Sequence, residues 1–235
     1  MFINTKYRST QSEIMDDLAL EGEMLRDTLD QLARINYWLG GNRPTLRGLE
    51  KIINKIPKNQ QITLVDIGCG GGDMLRVIAD YGRKKRRNFK LIGIDANEFI
   101  INYAKKKTVN YPEISYFSQN IFSDEFEAMD YDIALFNLVL HHFKDDQIID
   151  LLTRISSKAK KGVIINDLHR SALAYYLFQV VCLTISNPMA REDGLVSILR
   201  GFKRNDLITF SKKLNLKNFV IEWKWAFRYL WTIEK

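Results

Sequence analysis

The chain has 235 residues, 46% of them hydrophobic, and a formal net charge of +7. That length and apolar fraction suit one large α/β domain, or one domain with a small cap, and are enough to bury a core without disulfides or metals. Two cysteines, Cys69 and Cys182, form no framework and no CxxC, so a reducing, cytoplasmic setting without a signal peptide is expected.

In chain order, residues 12–39 read as a helix. Leu25, Leu29, Leu32, Ile35 and Leu39 make one apolar stripe, and Gly40-Gly41 stops it. A second helix spans 46–56 and ends at Pro57. These two form an expected N-terminal helical cap over 1–58, with an α/β domain over 59–235.

From Ile62 the texture changes. "ITLVDIG", "FKLIGID", "EISYFS", "YDIALF" and "GVIIND" are short apolar runs of the kind that parallel strands show when both faces are covered. Helical patterns at 73–81, 98–107 and 145–158 separate several of them. A helix near 205–214 precedes "LKNFVIEW" and "AFRYLWTI", which read as an antiparallel hairpin. The predicted fold is α/β and doubly wound. It has a mostly parallel seven-stranded sheet, a terminal antiparallel hairpin, N-terminal helices and a helical lid insertion at about 170–203. The run 172–185 is the most apolar. It falls short of the roughly 20 residues of a bilayer span and reads as a buried or interfacial helix.

Ligands of such sheets bind beyond the carboxyl ends of the strands. The loops there carry "GCGGGD", "DANEF", "SQNIF", "NLVLHHF" and "DLHRS". The basic runs 83–87, 105–107 and 158–161 fall at the opposite edge. This separation argues against nucleic acid as the substrate and favours a solvated basic face. Weak docking to an anionic membrane surface is the functional alternative.

"VDIGCGGGD" puts Asp66 at a strand end, followed by Gly68, Gly70 and Gly72. A dinucleotide loop would place its third glycine at residue 73, which is Asp73. An aspartate before the loop suits a ligand ammonium better than a pyrophosphate. Asp95 ends the next strand, where a carboxylate can accept both ribose hydroxyls or cap the next helix.

With these residues the chain resembles class I S-adenosylmethionine-dependent methyltransferases, most closely over 60–170. The resemblance implies S-adenosyl-L-methionine as cofactor. It implies that Asp66, Gly68, Cys69, Gly70 and Gly72 hold the methionine end, and that Asp95 and Ala96 hold the ribose. Asn120 and Ile121 stand where the family usually has an aspartate for the adenine, and Asn137 and His142 complete the set. Asn137 lacks the prolines of the (N/D)PP(Y/F) motif, which counts against nucleobase or amide N-methylation.

"VLHHFKDD" also resembles a segment of hydroxy-aromatic O-methyltransferases, which implies His141 as general base. His142 then supports the cofactor loop. His169, after the fifth strand, is the second candidate base. No metal is assigned, because adjacent imidazoles rarely converge on one ion without further ligands. Tyr175, Tyr176, Phe178 and Met189 in the insertion are candidates to line a substrate pocket, with core packing the alternative. "NDLHRSALAYYLF" and "AREDGLVSILRGF" resemble bacterial small-molecule methyltransferases linked to type III polyketide synthases. The function expected is O-methylation of a small phenolic or quinone-type lipid. RNA methylation and a non-catalytic cofactor-binding module are the alternatives.

Overall fold

The structure is a computed structural model that describes residues 3–235. Helices α1 (Glu23–Trp38) and α2 (Asn42–Ile53) lead into β1 (Ile62–Ile67), α3 (Asp73–Lys85), β2 (Phe89–Asp95) and α4 (Glu98–Lys107). Then follow β3 (Ile114–Ser118), the short α5 (Asp124–Glu127), β4 (Ile133–Asn137), α6 (Asp145–Lys158) and β5 (Gly162–Leu168). The insertion is α7 (Ala172–Cys182) and α8 (Pro188–Arg200), and the chain ends with α9 (Arg204–Lys213), β6 (Phe219–Lys224) and β7 (Arg228–Glu234).

The seven strands form one sheet in the order β3-β2-β1-β4-β5-β7-β6. β1 to β5 are parallel, and β7 runs antiparallel to both β5 and β6. The order reverses between β1 and β4, which opens a crevice at their carboxyl ends. One apolar cluster, with Phe136, Leu151 and Trp231, fills one side of the sheet. A second, with Leu49, Leu75 and Ile78, fills the other. Each such buried side chain contributes about 1.5–3 kcal/mol relative to exposure.

Helix α2 lies directly on the sheet. Leu49, Ile52 and Ile53 are buried there. Gly48 permits the approach, because a Cβ at this position would lie 2.9 Å from Ile164 Cγ2 and 3.1 Å from Leu230 Cδ1. One turn earlier, the Thr45 hydroxyl meets Asn137 Oδ1 at 3.0 Å, and Asn166 Nδ2 donates to both of those oxygens at 2.9 Å.

The predicted helix over 12–39 is corrected at its start. It begins at Glu23, and residues 12–22 hold only a three-residue 3-10 turn, Ile14–Asp16. Gly22 sits at φ +102°, outside helical space. The backbone N–H groups of Ile14 and Met15 donate to the Asp193 carboxylate at 2.7 and 3.0 Å, so α8 holds this segment as a strap. The apolar stripe of α1 also divides: Leu25 and Leu29 are buried beside Met189 and Ile100, while Leu32, Ile35 and Leu39 are only half-buried.

No helix among the described residues is long and apolar enough to cross a membrane. In the basic runs Arg83 pairs with Glu113, Lys85 with Glu50, Lys107 with Asp30 and Lys160 with Asp130. These pairs neutralise part of the positive edge.

Candidate active site

The glycine loop after β1 passes under the loop after β4. Gly68 adopts φ +68°, and a Cβ there would lie 2.3 Å from Val139 Cγ2. Gly72 adopts φ +70° and faces the Tyr116 hydroxyl, which a Cβ would meet at 2.1 Å. Only glycine serves at either position. The Asp95 carboxylate accepts from Gly70 N at 3.1 Å and from Asn97 N at 3.0 Å, so it ties the loop to the start of α4. Asn97 itself caps α4, accepting from Ile100 N at 3.1 Å.

Asp66 is 1% exposed, and its Oδ1 has no hydrogen-bond partner among the described residues. Burial lifts its pKa well above the usual carboxylate range, and Asp73 and Asp95 add repulsion. Burial likewise raises Asp73 and Asp95. Three carboxylates held this way suit a cationic ligand. Arg228, at the start of β7, is their counterweight. It is 4% exposed, donates from Nη2 to Asn36 Oδ1 at 2.6 Å, and leaves Nε and Nη1 without partners among the described residues. Burial pulls it down to about 10.

Beyond β4 the chain makes a 3-10 turn, Leu140–His142. Asp167, at the end of β5, grips this turn twice: His141 N donates to Oδ2 at 3.1 Å, and His141 Nδ1 lies 2.7 Å from Oδ1. His142 Nδ1 is 2.6 Å from Asp16 Oδ1 on the strap. Arg200 clamps the assembly, with Nη1 2.5 Å from Asp16 Oδ2 and Nη2 donating to the His142 carbonyl at 2.6 Å. Glu13, also on the strap, stands 3.5 Å from His141 Nε2 and accepts from the Ser197 hydroxyl at 2.8 Å.

Burial works against a charge on His141, but Asp167 and Glu13 outweigh it and push the imidazole up to about 9. Burial works in the other direction on Asp167 and Asp16; His141 holds Asp167 below its ordinary value, and His142 with Arg200 does the same for Asp16.

One cavity of about 1060 Å³ joins these parts. Of the residues expected to hold the cofactor, Asp66, Gly68, Cys69, Gly70, Asp95, Ala96, Asn120, Ile121, Asn137 and His142 line it. Gly72 does not; it packs under the loop. The side-chain oxygen of Asn137 is taken by Thr45 and Asn166. His141 and Phe178 line the cavity, as do Leu32 and Ile35 of α1 and Leu39 just after it.

Besides Gly72, four expected residues are not brought there. His169 lies behind the terminal hairpin, where its Nδ1 accepts from Trp223 Nε1 at 3.2 Å and its ring packs by Phe227 and Tyr229. Met189 is core beneath α1. Tyr175 and Tyr176 meet edge to face, and the Tyr176 hydroxyl accepts from Ile3 N. The sequence reading missed Glu13, Asp16, Arg200 and Arg228. None carries a local signal for the site, since the contacts that place them there, Glu13 to His141, Asp16 to His142, Arg200 to Asp16 and Arg228 to Asn36, each span more than 120 residues.

Residues 64–162 match the family model described as "Methyltransferase domain". The chain carries an S-adenosylmethionine-dependent methyltransferase domain. This methyltransferase is 23% identical over 192 residues to the carboxy-S-adenosyl-L-methionine synthase of Campylobacter jejuni subsp. doylei, covering 73% of this chain and 75% of that one. Its fold is similar to that of the plantazolicin methyltransferase BpumL in complex with a triazolic desmethylPZN analog and SAH, at 16% identity and a TM-score of 0.64 over 88% and 90% of the two chains. An O-methyltransferase candidate from Nostoc punctiforme gives 18% identity and a TM-score of 0.60 over 88% of this chain. The methyltransferase spans only 60% of that longer protein. At these identities the likeness to solved structures shows the fold alone.

The residues present fit the cofactor. Asp66 offers a buried, unpartnered carboxylate oxygen, Asp95 a second carboxylate, and Gly68 the space that a side chain would fill.

Proposed function

We propose that this methyltransferase transfers a methyl group to the oxygen of a small, largely apolar phenolic or quinone-type acceptor. The observation that carries this reading is the shape and lining of the cavity. Its volume of about 1060 Å³ lies at the upper end of the roughly 300–1,000 Å³ typical of ligand pockets, which leaves room for an acceptor beside the cofactor. One end is the glycine loop; another is walled by Leu32, Ile35, Leu39, Phe178, Val181 and Phe227. His141, His142 and Glu13 are among the cavity's polar lining groups, with Asp16, Asp193 and Ser197.

When bound, S-adenosylmethionine supplies an electrophilic methyl on a sulfonium. This chain's residues do the rest. Asp66 and Asp95 hold the cationic and ribose parts, and Arg228 offers donors for a carboxylate. Asp167 fixes His141 through Nδ1, so Nε2 is the atom presented to the acceptor hydroxyl once Glu13 yields its place and the imidazole, which Asp167 and Glu13 together hold at about 9 against burial, gives up its Nε2 proton. Positioning of the two reactants supplies much of the rate. His142, held by Asp16, supports the turn.

The domain division belongs to the same reading: the N-terminal segment and the α7–α8 insertion form a cap over the methyltransferase core. Leu177 and Val180 of α7 line the cavity and are also exposed at 46% and 62%, which suits entry of a lipophilic acceptor from an apolar or membrane surface. The resemblance to methyltransferases linked to type III polyketide synthases points to the same acceptor class. The basic runs lie away from the cavity, which counts against RNA.

The test is transfer of labelled methyl to alkylresorcinol-type phenols, quinols and RNA, with products resolved by mass spectrometry. A labelled aryl methyl ether is expected. Label on carbon, or in RNA, would overturn the reading. His141→Ala is expected to retain cofactor binding while turnover falls about 10²–10⁴-fold.

A further inference from the structure

We propose that His141, His142 and Glu13 form a binding site for a divalent transition-metal ion of the zinc type, with an open position facing the cavity. The two imidazoles are adjacent in sequence, yet both are oriented the same way. Each Nδ1 is occupied by a carboxylate: Asp167 at 2.7 Å on His141 and Asp16 at 2.6 Å on His142. A carboxylate behind each ring holds a proton on Nδ1 and leaves Nε2 to bind an ion in exchange for any proton it carries, as at histidine–metal centres generally.

Both Nε2 atoms face the Glu13 carboxylate. His141 Nε2 is 3.5 Å from Oε1, and His142 Nε2 is 3.8 Å from Oε2. These separations are long for hydrogen bonds. They approach the roughly 3.4 Å edge of a tetrahedron whose ligands lie about 2.1 Å from a central ion. One ligand atom from each of the three residues fits within 4.8 Å of the others. Glu13 Oε1 and His141 Nε2 are buried and have no hydrogen-bond partner among the described residues. A bound cation satisfies both.

The surrounding charge favours a dication. Glu13, Asp16, Asp167 and Asp193 converge here from the strap, β5 and α8. Arg200 is the cation among them, with Nη1 3.5 Å from Glu13 Oε1 and 2.5 Å from Asp16 Oδ2. Arg8 lies nearby but pairs with Asp145 at 2.6 Å. Four carboxylates face Arg200 here, with Arg228 near Asp167 and Arg8 on the His141 carbonyl, so negative charge is in excess around the two imidazoles. Two imidazoles and one carboxylate form a donor set suited to zinc and its neighbours rather than to magnesium.

All three residues line the cavity, so the remaining coordination position opens onto it. Here the proposal rests on the O-methylation reading: the acceptor hydroxyl would take the open position, the ion would lower its proton affinity so that its proton passes to solvent water, and His141 would serve as a ligand in place of the base. Metal binding itself does not depend on that reading and is measured without cofactor or acceptor.

The experiment is titration of chelator-stripped protein with Zn²⁺ against a chromophoric competitor. Co²⁺ serves as a spectroscopic probe, and Mg²⁺ as the hard-ion control. Expected is one Zn²⁺ per chain, a tetrahedral Co²⁺ absorption band, and no competition from Mg²⁺. Asp16→Asn, which removes the charge behind His142, is expected to weaken Zn²⁺ binding about 10–100-fold. His142→Ala and Glu13→Gln are expected to weaken it further. His142 is only half-buried, and Glu13→Gln preserves shape, so one folded variant is expected to survive. Zn²⁺ affinity weaker than about 1 mM, or equal affinity in the wild type and the folded variants, would overturn the proposal. A labelled methyl ether formed by metal-free protein would leave the acceptor reading standing and remove the ion from its mechanism.

Discussion

Gly68 and Val139 approach so closely that a single methyl group on residue 68 would lie 2.3 Å from Val139 Cγ2. The contact locks the loop after β1 to the loop after β4. Gly68→Ala must both relieve this clash and hold φ near +68°, a conformation that costs a side-chain-bearing residue about 1–2 kcal/mol. Cofactor affinity is expected to fall by more than tenfold, and the melting temperature to drop. Wild-type affinity by isothermal titration calorimetry would refute this account of the loop.

Asp66 links cofactor binding to pH. Its pKa is raised by burial and by Asp73 and Asp95, so the free protein holds a proton that a cationic ligand displaces. The ligand favours the ionised form. Affinity is therefore expected to rise with pH up to the raised pKa of the free protein and then level off. Calorimetry in buffers of different ionisation enthalpy is expected to show proton release below that point. Asp66→Asn is expected to bind weakly and to lose the proton release.

Arg228 is a buried cation with two unpartnered nitrogens beside a ligand cavity. Its expected partner is the carboxylate of the cofactor's amino-acid end. A cycle pairing wild type and Arg228→Met with S-adenosylmethionine and its decarboxylated analogue isolates the contact. A coupling of about 1.5–3 kcal/mol is expected for a charge-assisted bond. A coupling near zero would free Arg228 for another anion.

Arg200 holds the strap down through Asp16 and the carbonyls of His141 and His142. Arg200→Met leaves Asp16 and the turn unclamped, and the loss of this part-buried pair is expected to loosen the strap. Hydrogen exchange is expected to accelerate across residues 9–20 while β1 and β4 stay protected. Uniform acceleration across the chain would mean that Arg200 supports the whole fold rather than the strap.

Leu32 and Ile35 test the chamber. Leu32→Trp fills space on the α1 side of the cavity. Expected is a fall of more than tenfold in kcat/KM for a bulky acceptor with unchanged cofactor affinity. Equal loss for small and bulky acceptors would argue that α1 acts on the cofactor instead.

The parts of this molecule that were legible in sequence are those fixed by local patterning. Apolar runs such as Ile62–Ile67 and Gly162–Leu168 marked buried parallel strands, and the loop from Asp66 to Gly72 marked the cofactor end. The helix start at residue 12 was misread because apolar residues continue upstream of Gly22, whereas a positive φ there and the grip of Asp193 on Ile14 and Met15 decide the outcome. The histidine pair was visible, but its environment was not. Glu13 and Asp16 reach it across more than 120 residues, and no periodicity encodes such a meeting. His169 lies outside the cavity lining, with its backbone bonded to Phe227 and its ring to Trp223 of the hairpin.

Gly48 faces the back of the sheet, one turn of α2 from Thr45, whose hydroxyl holds Asn137 and Asn166 at the tips of β4 and β5. Any side chain at residue 48 would push α2 outward and carry Thr45 with it. The missing methyl thus sets a seating depth for the strand tips. Homologues or engineered variants that differ there are expected to reshape the mouth of the crevice from behind, with every residue lining the cavity left as it is.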